Sequence, residues 1–211
     1  MTRIAFLVDG FNLYHSVMRL KGDTGCSTKW LDLDSLCRSY LPLFGRDASL
    51  ASIHYFSALP YHLSPTNSGK VARHEVYLSC LKASGITVQL GRFKEKDVYC
   101  PNCKSYFLKH EEKETDVAIA VTLIELLILD QCDKAVVMSG DTDLSPAIKK
   151  CLRLFPKKSI IFAFPYARKN NELLKLAPAS FSISKKQYIR HQFPNPVVLA
   201  DGRKIHKPAG W

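Results

Sequence analysis

The sequence predicts an α/β fold in which a mainly parallel sheet lies between two layers of helices. Short apolar runs at Arg3–Val8, Ala135–Met138 and Lys158–Phe164 alternate with segments whose apolar residues recur at helical spacing. Strands that are apolar on both faces are typical of parallel sheets covered by helices. With 211 residues, 46% of them hydrophobic, the chain is long enough for one sizeable domain with a substantial core.

The first half of the chain alternates between strands and helices. Asp9 and Gly10 end the first strand, and apolar residues at helical spacing follow at once. A stretch rich in Pro, Ser and Asn is typical of a loop, and Gly85 is placed to end a helix. We predict a helix from residue 10, a helix at 32–41, a strand at 52–58, a loop at 59–69, an amphipathic helix at 70–84 and a strand at 86–90.

The second half contains a helix that is apolar nearly all round, which predicts complete burial against the sheet. After it, Gly140 permits a sharp turn, Asp143 is placed to cap a helix, and Pro146 fits that helix's first turn. We predict helices at 114–129 and 167–176 and strands at 135–138, 158–164 and 181–183. Residues 184–211 are too irregular for another βαβ unit and are interpreted as a basic C-terminal extension of the domain at 1–183.

The charge of the chain predicts the class of its partner. A formal net charge of +11 and a pI near 9.3 favour a polyanion, with nucleic acid ahead of a membrane surface. No apolar run is long enough to span a bilayer, and we expect no membrane association. Seven cysteines without a secretory signal indicate reduced thiols, so we expect a cytoplasmic protein.

Four aspartates are predicted to meet at one edge of the sheet: Asp9, Asp116, Asp141 and Asp143. Asp9 and Asp141 each follow a strand, and the carboxyl ends of parallel strands share one edge. Asp116 lies in the first turn of the apolar helix, where it either reaches over that edge or simply complements the helix dipole. Asp141 and Asp143 are equally typical of turn and helix caps, and Asn12 of an ordinary hydrogen bond in its own helical turn.

Carboxylates crowded at one edge predict a bound divalent cation. Like charges destabilise one another unless a cation neutralises them, and hard oxygen ligands select Mg²⁺ or Mn²⁺. Such a site activates water and stabilises charge on a phosphate, with a second ion able to serve the leaving oxygen. An acidic pocket in a basic chain therefore predicts hydrolysis of phosphodiester bonds in a polynucleotide.

Residues 91–113 interrupt the βαβ rhythm and have alternative interpretations. Cys100 and Cys103 form one CxxC pair, which suits zinc, but a structural site needs four ligands. His110 is a candidate third ligand and Cys26 a distant fourth, and free thiols or a redox pair stay open. Basic residues interleaved with aromatics also suit a single nucleic-acid strand, which makes Arg92, Lys94 and Lys113 candidate substrate contacts. A solvated β-hairpin is the structural alternative.

Three motifs in order resemble the NYN domain, in the LabA-like (DUF88) branch of the PIN-like nuclease superfamily. They are VDGFN at 8–12, ETDVAIA at 114–120 and SGDTDL at 139–144, and the closing GRKIHKPAGW is also similar to bacterial members. The resemblance covers residues 1–183 and implies a Rossmann-like, PIN-like α/β/α fold with Mg²⁺- or Mn²⁺-dependent ribonuclease activity. It implies that Ser139 contacts phosphate or water and that the acidic centre consists of Asp9, Asn12, Asp116, Asp141 and Asp143.

The resemblance leaves one acidic residue unassigned and several functions open. Many PIN relatives carry a further acidic residue on a middle helix, for which Glu75 is the nearest candidate, without a motif match. The first hypothesis is an endoribonuclease that cuts single-stranded RNA with water as nucleophile and a 5′-phosphate product. The alternatives are an RNA-binding regulatory or adaptor module with a silent site, and a phosphatase for small esters. The sequence leaves a homodimer open.

Overall fold

A computed structural model describes residues 1–211, apart from the side chains of residues 64–68. Over this described chain, a central sheet has seven strands in the order β4-β3-β2-β1-β5-β6-β7, and β8 and β9 form a separate small hairpin. The strands are β1 Thr2–Asp9, β2 Ala48–Ala58, β3 Thr87–Cys100, β4 Ser105–Lys113, β5 Lys134–Met138, β6 Ser159–Phe164, β7 Phe181–Ser182, β8 Val197–Val198 and β9 Lys204–Ile205.

Neighbouring strands of the central sheet are parallel except for the pair β3 and β4. The first strand lies between β2 and β5, with Asp9 beside Phe56 and Val8 beside Met138. The carboxyl ends of these three strands therefore lie at one edge, as the apolar runs predicted. The mainly parallel α/β fold is confirmed.

Helices cover both faces of the sheet and create two apolar cores. Ile4, Phe6 and Val8 face the core formed with α1, α2, α3 and α7, whereas Ala5 and Leu7 face the core formed with α4, α5 and α6. This alternation along β1 explains why the strand reads as uniformly apolar. The helices are α1 Gly10–Thr24, α2 Leu33–Tyr40, α3 Ser64–Ala83, α4 Thr115–Ile128, α5 Ser145–Leu154, α6 Asn171–Leu176 and α7 Lys185–Arg190.

Two predicted element boundaries are wrong. The loop predicted at 59–69 instead includes a 3-10 turn at Tyr61–Leu63 and the first turn of α3, because proline fits the start of a helix. The helix predicted from residue 167 begins later, at Asn171, because the Asn170 side chain accepts hydrogen bonds from the amides of Glu172 and Leu173 and so caps α6 there.

Residues 91–113 extend the sheet as a long β-hairpin. The third strand continues without a break from Thr87 to Cys100, and β4 returns beside it in antiparallel register. The insertion is therefore a β-hairpin, and its contact with nucleic acid stays a prediction. Its last residue, Lys113, leads directly through Glu114 into α4, so the hairpin and the candidate site share a junction.

The prediction that α4 is buried all round is wrong for one face. Ile119, Leu123 and Leu126 are buried in the second core, whereas Val117 and Val121 are more than half exposed. The helix lies on the outside of the sheet and contacts it along one side only. No helix in the described part of the chain is both long and apolar enough to cross a membrane.

The basic C-terminal segment packs against the first helical layer. The Tyr188 hydroxyl of α7 is 2.8 Å from the Ser16 hydroxyl of α1, and both residues are fully buried. The ring of Trp211, the final residue, lies 6.1 Å from that of Trp30 and 5.7 Å from that of Tyr77. The segment thus adds an ordered covering to the domain beyond its last parallel strand.

Candidate acidic site

Asp9 is the buried centre of the candidate site. It ends β1, is only 3% exposed, and its Oδ1 accepts a hydrogen bond of 2.9 Å from the amide of Asn12. Its Oδ2 accepts a bond of 2.7 Å from the Ser139 hydroxyl. Burial raises the pKa of Asp9, and these hydrogen bonds to the carboxylate act against that rise. The side chain is consequently fixed in orientation at the carboxyl end of the central strand.

Asn12 and Ser139 connect the loops that follow β1 and β5. The amide of Gly140 donates a hydrogen bond of 3.2 Å to Oδ1 of Asn12, and the amide of Asp141 donates one of 3.1 Å to the Ser139 hydroxyl. Both Asn12 and Ser139 are buried. Since buried polar groups that are fully bonded hold a single geometry, this network sets the distance between Asp9 and Asp141.

Asp141 and Asp143 have different roles in the loop. Oδ1 of Asp141 accepts a hydrogen bond of 3.0 Å from the amide of Asp143 and caps the 3-10 turn Thr142–Leu144. The prediction that Asp143 caps the following helix is wrong, because Leu144 occupies the cap position of α5 and no side chain bonds there within the described residues. Asp143 is exposed beside the other carboxylates.

Asp116 brings a further carboxylate to the same edge from the first turn of α4. Its pKa is raised to about 6, first by burial and then by the negative charges of Asp141, Asp9 and Asp143. Among the described side chains none donates a hydrogen bond to it. No described cation forms an ion pair with Asp116, so the sheet edge carries the kind of negative charge that a divalent cation neutralises.

Glu112 joins the acidic group, although the sequence did not single it out. It lies near the end of β4, its Oε1 accepts a hydrogen bond of 2.6 Å from the Thr115 hydroxyl, and its pKa is raised by burial and by Asp9 and Asp116. Glu75, the candidate from the resemblance, is exposed on α3, where Tyr61 contacts it. In the sequence, the feature that could have identified Glu112 is its position three residues before Thr115, the first residue of α4.

The carboxylates line a cleft of about 400 Å³ between the sheet edge and the hairpin. Lys109 and Lys113 lie on its hairpin wall beside Glu111, Glu112 and Glu114, and both lysines form ion pairs with Glu111. The other basic residues predicted to contact substrate lie outside the lining: Arg92 pairs with Glu114 at 2.6 Å, and Lys94 is exposed on β3. A cleft that is acidic at its base and carries two lysines on its wall suits a phosphodiester chain approaching a cation.

The types of residue in the site suit a divalent metal ion, although their side chains do not already surround one point. Among the described side chains, no group of three or more His, Cys, Asp or Glu is already arranged around a common point. Oxygen donors from Asp9, Asp116 and Asp141 nevertheless converge at one edge, and both Asp116 and Asp141 keep an oxygen without a hydrogen bond to the described residues. Mg²⁺ commonly takes one or two carboxylates and keeps several waters, which suits this arrangement.

The CxxC pair lies at the tip of the hairpin. Cys100 pairs with Ser105 in the ladder, and the sulfur of Cys103 is 2.9 Å from the Ser105 hydroxyl. The prediction of His110 as a third zinc ligand is wrong, because His110 pairs with Glu95, five ladder positions or about 17 Å from the tip. Its ring stacks on His62 at 4.0 Å.

The fold and the cleft together define an α/β domain with an acidic centre at the carboxyl edge of a parallel sheet. The chain matches the NYN domain family over residues 3–184 and therefore belongs to that family, which places it among the PIN-like nucleases. The match covers the three motifs and ends close to the predicted boundary of the domain.

The proteins similar to this chain include one curated relative and one solved structure. The 6-hydroxy-3-succinoylpyridine 3-monooxygenase HspA of Pseudomonas putida is 27% identical over an alignment of 177 residues, with coverage of 70% of this chain and 54% of that protein. The chain thus spans about half the length of this curated relative. The crystal structure of a protein of unknown function from Vibrio parahaemolyticus has the same fold, with a TM-score of 0.55, 17% identity, and coverage of 87% of this chain and 93% of that one.

Proposed function

We propose that this protein is a Mg²⁺- or Mn²⁺-dependent endoribonuclease that hydrolyses single-stranded RNA. The observation that carries the proposal is the convergence of Asp9, Asp116 and Asp141 from three separate elements on one cleft. A structural cap would explain Asp9 or Asp141 singly and the helix dipole would favour Asp116, but neither explains why the three carboxylates meet although their charges repel. Membership of the NYN family supports the nuclease class.

Each residue has a distinct task in this proposal. A bound divalent cation would neutralise charge on the scissile phosphate and lower the pKa of coordinated water. Asp9 is held rigid by Asn12 and Ser139, so it fixes the position of the ligand group. Asp116 and Asp141 offer their unbonded oxygens. Because these groups are oriented before substrate arrives, little reorganisation is needed during the reaction.

Lys109 and Lys113 position the RNA in this proposal. Both line the cleft that holds the three aspartates, where they would contact phosphates next to the reacting one. A long cationic hairpin beside the cleft provides further contacts of the backbone type, which carry little sequence information. The net charge of +11 supports the same polyanionic substrate. All seven cysteines are free, which supports action in a reducing cytoplasm.

Cleavage of end-labelled single-stranded RNA tests the proposal. We expect fragments with 5′-phosphate ends in Mn²⁺ or Mg²⁺, none in EDTA, and a loss of at least about 100-fold in rate for Asp141→Asn. Asp201→Asn, which removes an equal charge from an exposed site paired with Arg203, serves as the matched control. Cleavage that continues in EDTA and in Asp141→Asn would reject the proposal.

The same samples test the adaptor alternative. If wild-type protein binds RNA at low salt with nanomolar to micromolar affinity but never cuts it in either metal, the site is silent and the protein is an RNA-binding module. Binding that weakens steeply with salt is expected in both cases, since the phosphate contacts are electrostatic. Turnover therefore decides between the two functions, and affinity does not.

A second candidate function is oxygenation of a small heteroaromatic acid. It is favoured by the name of the relative from Pseudomonas putida and by a separate cavity with aromatic walls and cationic residues. Consumption of dioxygen by the purified protein with 6-hydroxy-3-succinoylpyridine and a two-electron reductant tests it. The candidate gives no role to the acidic cleft, and for that reason we place it second.

A further inference from the structure

A second cavity of about 300 Å³ lies on the other side of the first turn of α1. Its walls are largely aromatic and come from distant parts of the chain: Phe11, Tyr14, Tyr55, Tyr77 and Trp211. The hydroxyl of Tyr77 donates a hydrogen bond of 2.8 Å to the carbonyl of Leu31, which fixes its ring. A cavity of this size with rigid aromatic walls suits one planar ring.

The mouth of the cavity carries positive charge without a counter-ion. Lys29, Lys70 and Arg73 line it, and none of the described carboxylates forms an ion pair with them or lines the same space. The pKa of Lys29 is lowered by burial and by the neighbouring cations Lys21, Arg73 and Lys70. Three cations crowded around partly dry space favour an anion.

Polar atoms are available inside the aromatic walls. Ser57 and His74 line the cavity, and burial lowers the pKa of His74 to about 4, so its imidazole is neutral at pH 7. A neutral imidazole has one donor and one acceptor nitrogen. The cavity therefore combines surfaces for stacking, groups that can bond the edge of a base, and cations for a phosphate.

The cavity and the acidic cleft share one wall. Phe11 lines both, and it directly follows Asp9 and Gly10 at the junction of β1 and α1. With 43% of its surface exposed, Phe11 forms the ridge between the two spaces. Phe11 is therefore the lining residue that the two spaces share, and they meet at its ring.

We propose that the cavity holds one nucleotide of the RNA strand that flanks the cleavage position, with its base among the aromatic walls and its phosphate on Lys29, Lys70 and Arg73. This subsite rests on the proposed ribonuclease function, which it deepens. Stacking and charge in one place distinguish a nucleotide from an inorganic anion or an uncharged ring. The subsite would fix the register of the strand relative to the acidic centre.

Tryptophan fluorescence in EDTA tests the subsite apart from catalysis, because Trp211 is one of two tryptophans and lines the cavity. Uridine and adenosine 5′-monophosphates are the probes, with inorganic phosphate, uridine and nicotinate as comparisons. We expect saturable quenching by the nucleotides, and roughly tenfold weaker binding in Arg73→Ala and Lys70→Ala. Lys82→Ala removes the same charge from the far end of α3 and should bind as wild type does.

Each outcome of this titration decides the question. No saturable quenching, equal affinity for phosphate alone, or tighter binding of nicotinate would overturn the nucleotide subsite, the last in favour of an aromatic acid. Melting curves identify a variant that fails to fold, and Lys70 is exposed enough to serve as the safer substitution. If wild-type protein cuts no RNA in Mn²⁺, the ribonuclease proposal fails, while the metal-free titration still decides what the cavity binds.

RNA kinetics then connect the subsite to cleavage. In the proposed arrangement Arg73→Ala raises KM for RNA roughly tenfold and leaves kcat within about twofold, because the residue binds the strand without touching the reacting phosphate. With a trinucleotide that is too short to reach the cavity, wild type and Arg73→Ala should have the same KM. An equal loss in kcat would contradict a purely positioning role for the subsite.

Discussion

The hydroxyl of Ser139 donates a hydrogen bond of 2.7 Å to Oδ2 of Asp9, and this bond joins the ends of β5 and β1. Both residues are buried, so the bond stabilises a carboxylate that has little access to water. The same hydroxyl accepts the amide hydrogen of Asp141. One side chain thereby aligns two of the three aspartates in the candidate site.

Replacing Ser139 by Ala should lower both stability and activity. The substitution leaves Oδ2 of buried Asp9 without its donor, for which we expect a loss of about 1–3 kcal/mol in the free energy of unfolding. Urea denaturation at pH 7.5 measures it. Ser79→Ala is the control, because its hydroxyl bonds a carbonyl on the exposed face of α3. Equal stabilities for the two variants would show that the Ser139 bond contributes little.

The sequence predicted the core of the site because its signals are local. Asp9 and Asp141 each follow an apolar strand within one or three residues, and parallel strands align their carboxyl ends by geometry. Asp116 starts a helix that the apolar pattern marks clearly. The pairing of β1 with β5, the site edge and these three residues therefore follow from periodicity and from the resemblance to one family.

The remaining features depend on contacts between distant residues. Glu112 reaches the cleft only because β4 pairs with β3 and Glu114 then turns with a φ of 80°, which few non-glycine residues adopt. The second cavity combines α1, β2 and α3 with Trp211 at the end of the chain. No periodicity links residues so far apart, and the start of α3 was missed because polar residues there are also typical of loops.

Substitutions of Glu112 and Glu75 test which of these two glutamates is the further acidic residue of the site. Glu112→Gln should slow RNA cleavage about tenfold or more, because Glu112 is half-buried beside Asp9 and Asp116. Glu75→Gln should leave the rate unchanged, because Glu75 is exposed near Tyr61. Initial rates with saturating Mn²⁺ provide the comparison. The reverse order of effects would restore Glu75 as the additional acidic residue.

The loop that carries Asp141 leaves no room for a side chain at Gly140. A Cβ atom at this position would lie 2.1 Å from the carbonyl oxygen of Arg168, a backbone atom that cannot move alone. We expect Gly140→Ala to destabilise the fold by about 1–3 kcal/mol. In contrast, Gly22→Ala within α1 meets nothing within 4 Å and should stabilise by about 0.5–1 kcal/mol. Thermal melting of both variants checks the opposite signs.

The variant Asp116→Asn tests charge repulsion in the site by its stability, without a measurement of activity. The pKa of Asp116 is raised to about 6 in the folded chain, so its ionisation costs stability as pH rises from about 4 through 6, and this cost is fully present at pH 7.5. Allowing for partial exposure, the neutral variant should gain about 1–2 kcal/mol in the free energy of unfolding at pH 7.5 and little at pH 4.

Adding Mn²⁺ should raise the melting temperature of wild type much more than that of Asp116→Asn, because the cation would neutralise the same repulsion. Asp97→Asn, which removes a carboxylate from the exposed hairpin, is the control and should respond to Mn²⁺ as wild type does. If Asp116→Asn is less stable than wild type at pH 7.5, or if Mn²⁺ stabilises both equally, Asp116 is not part of a cation site.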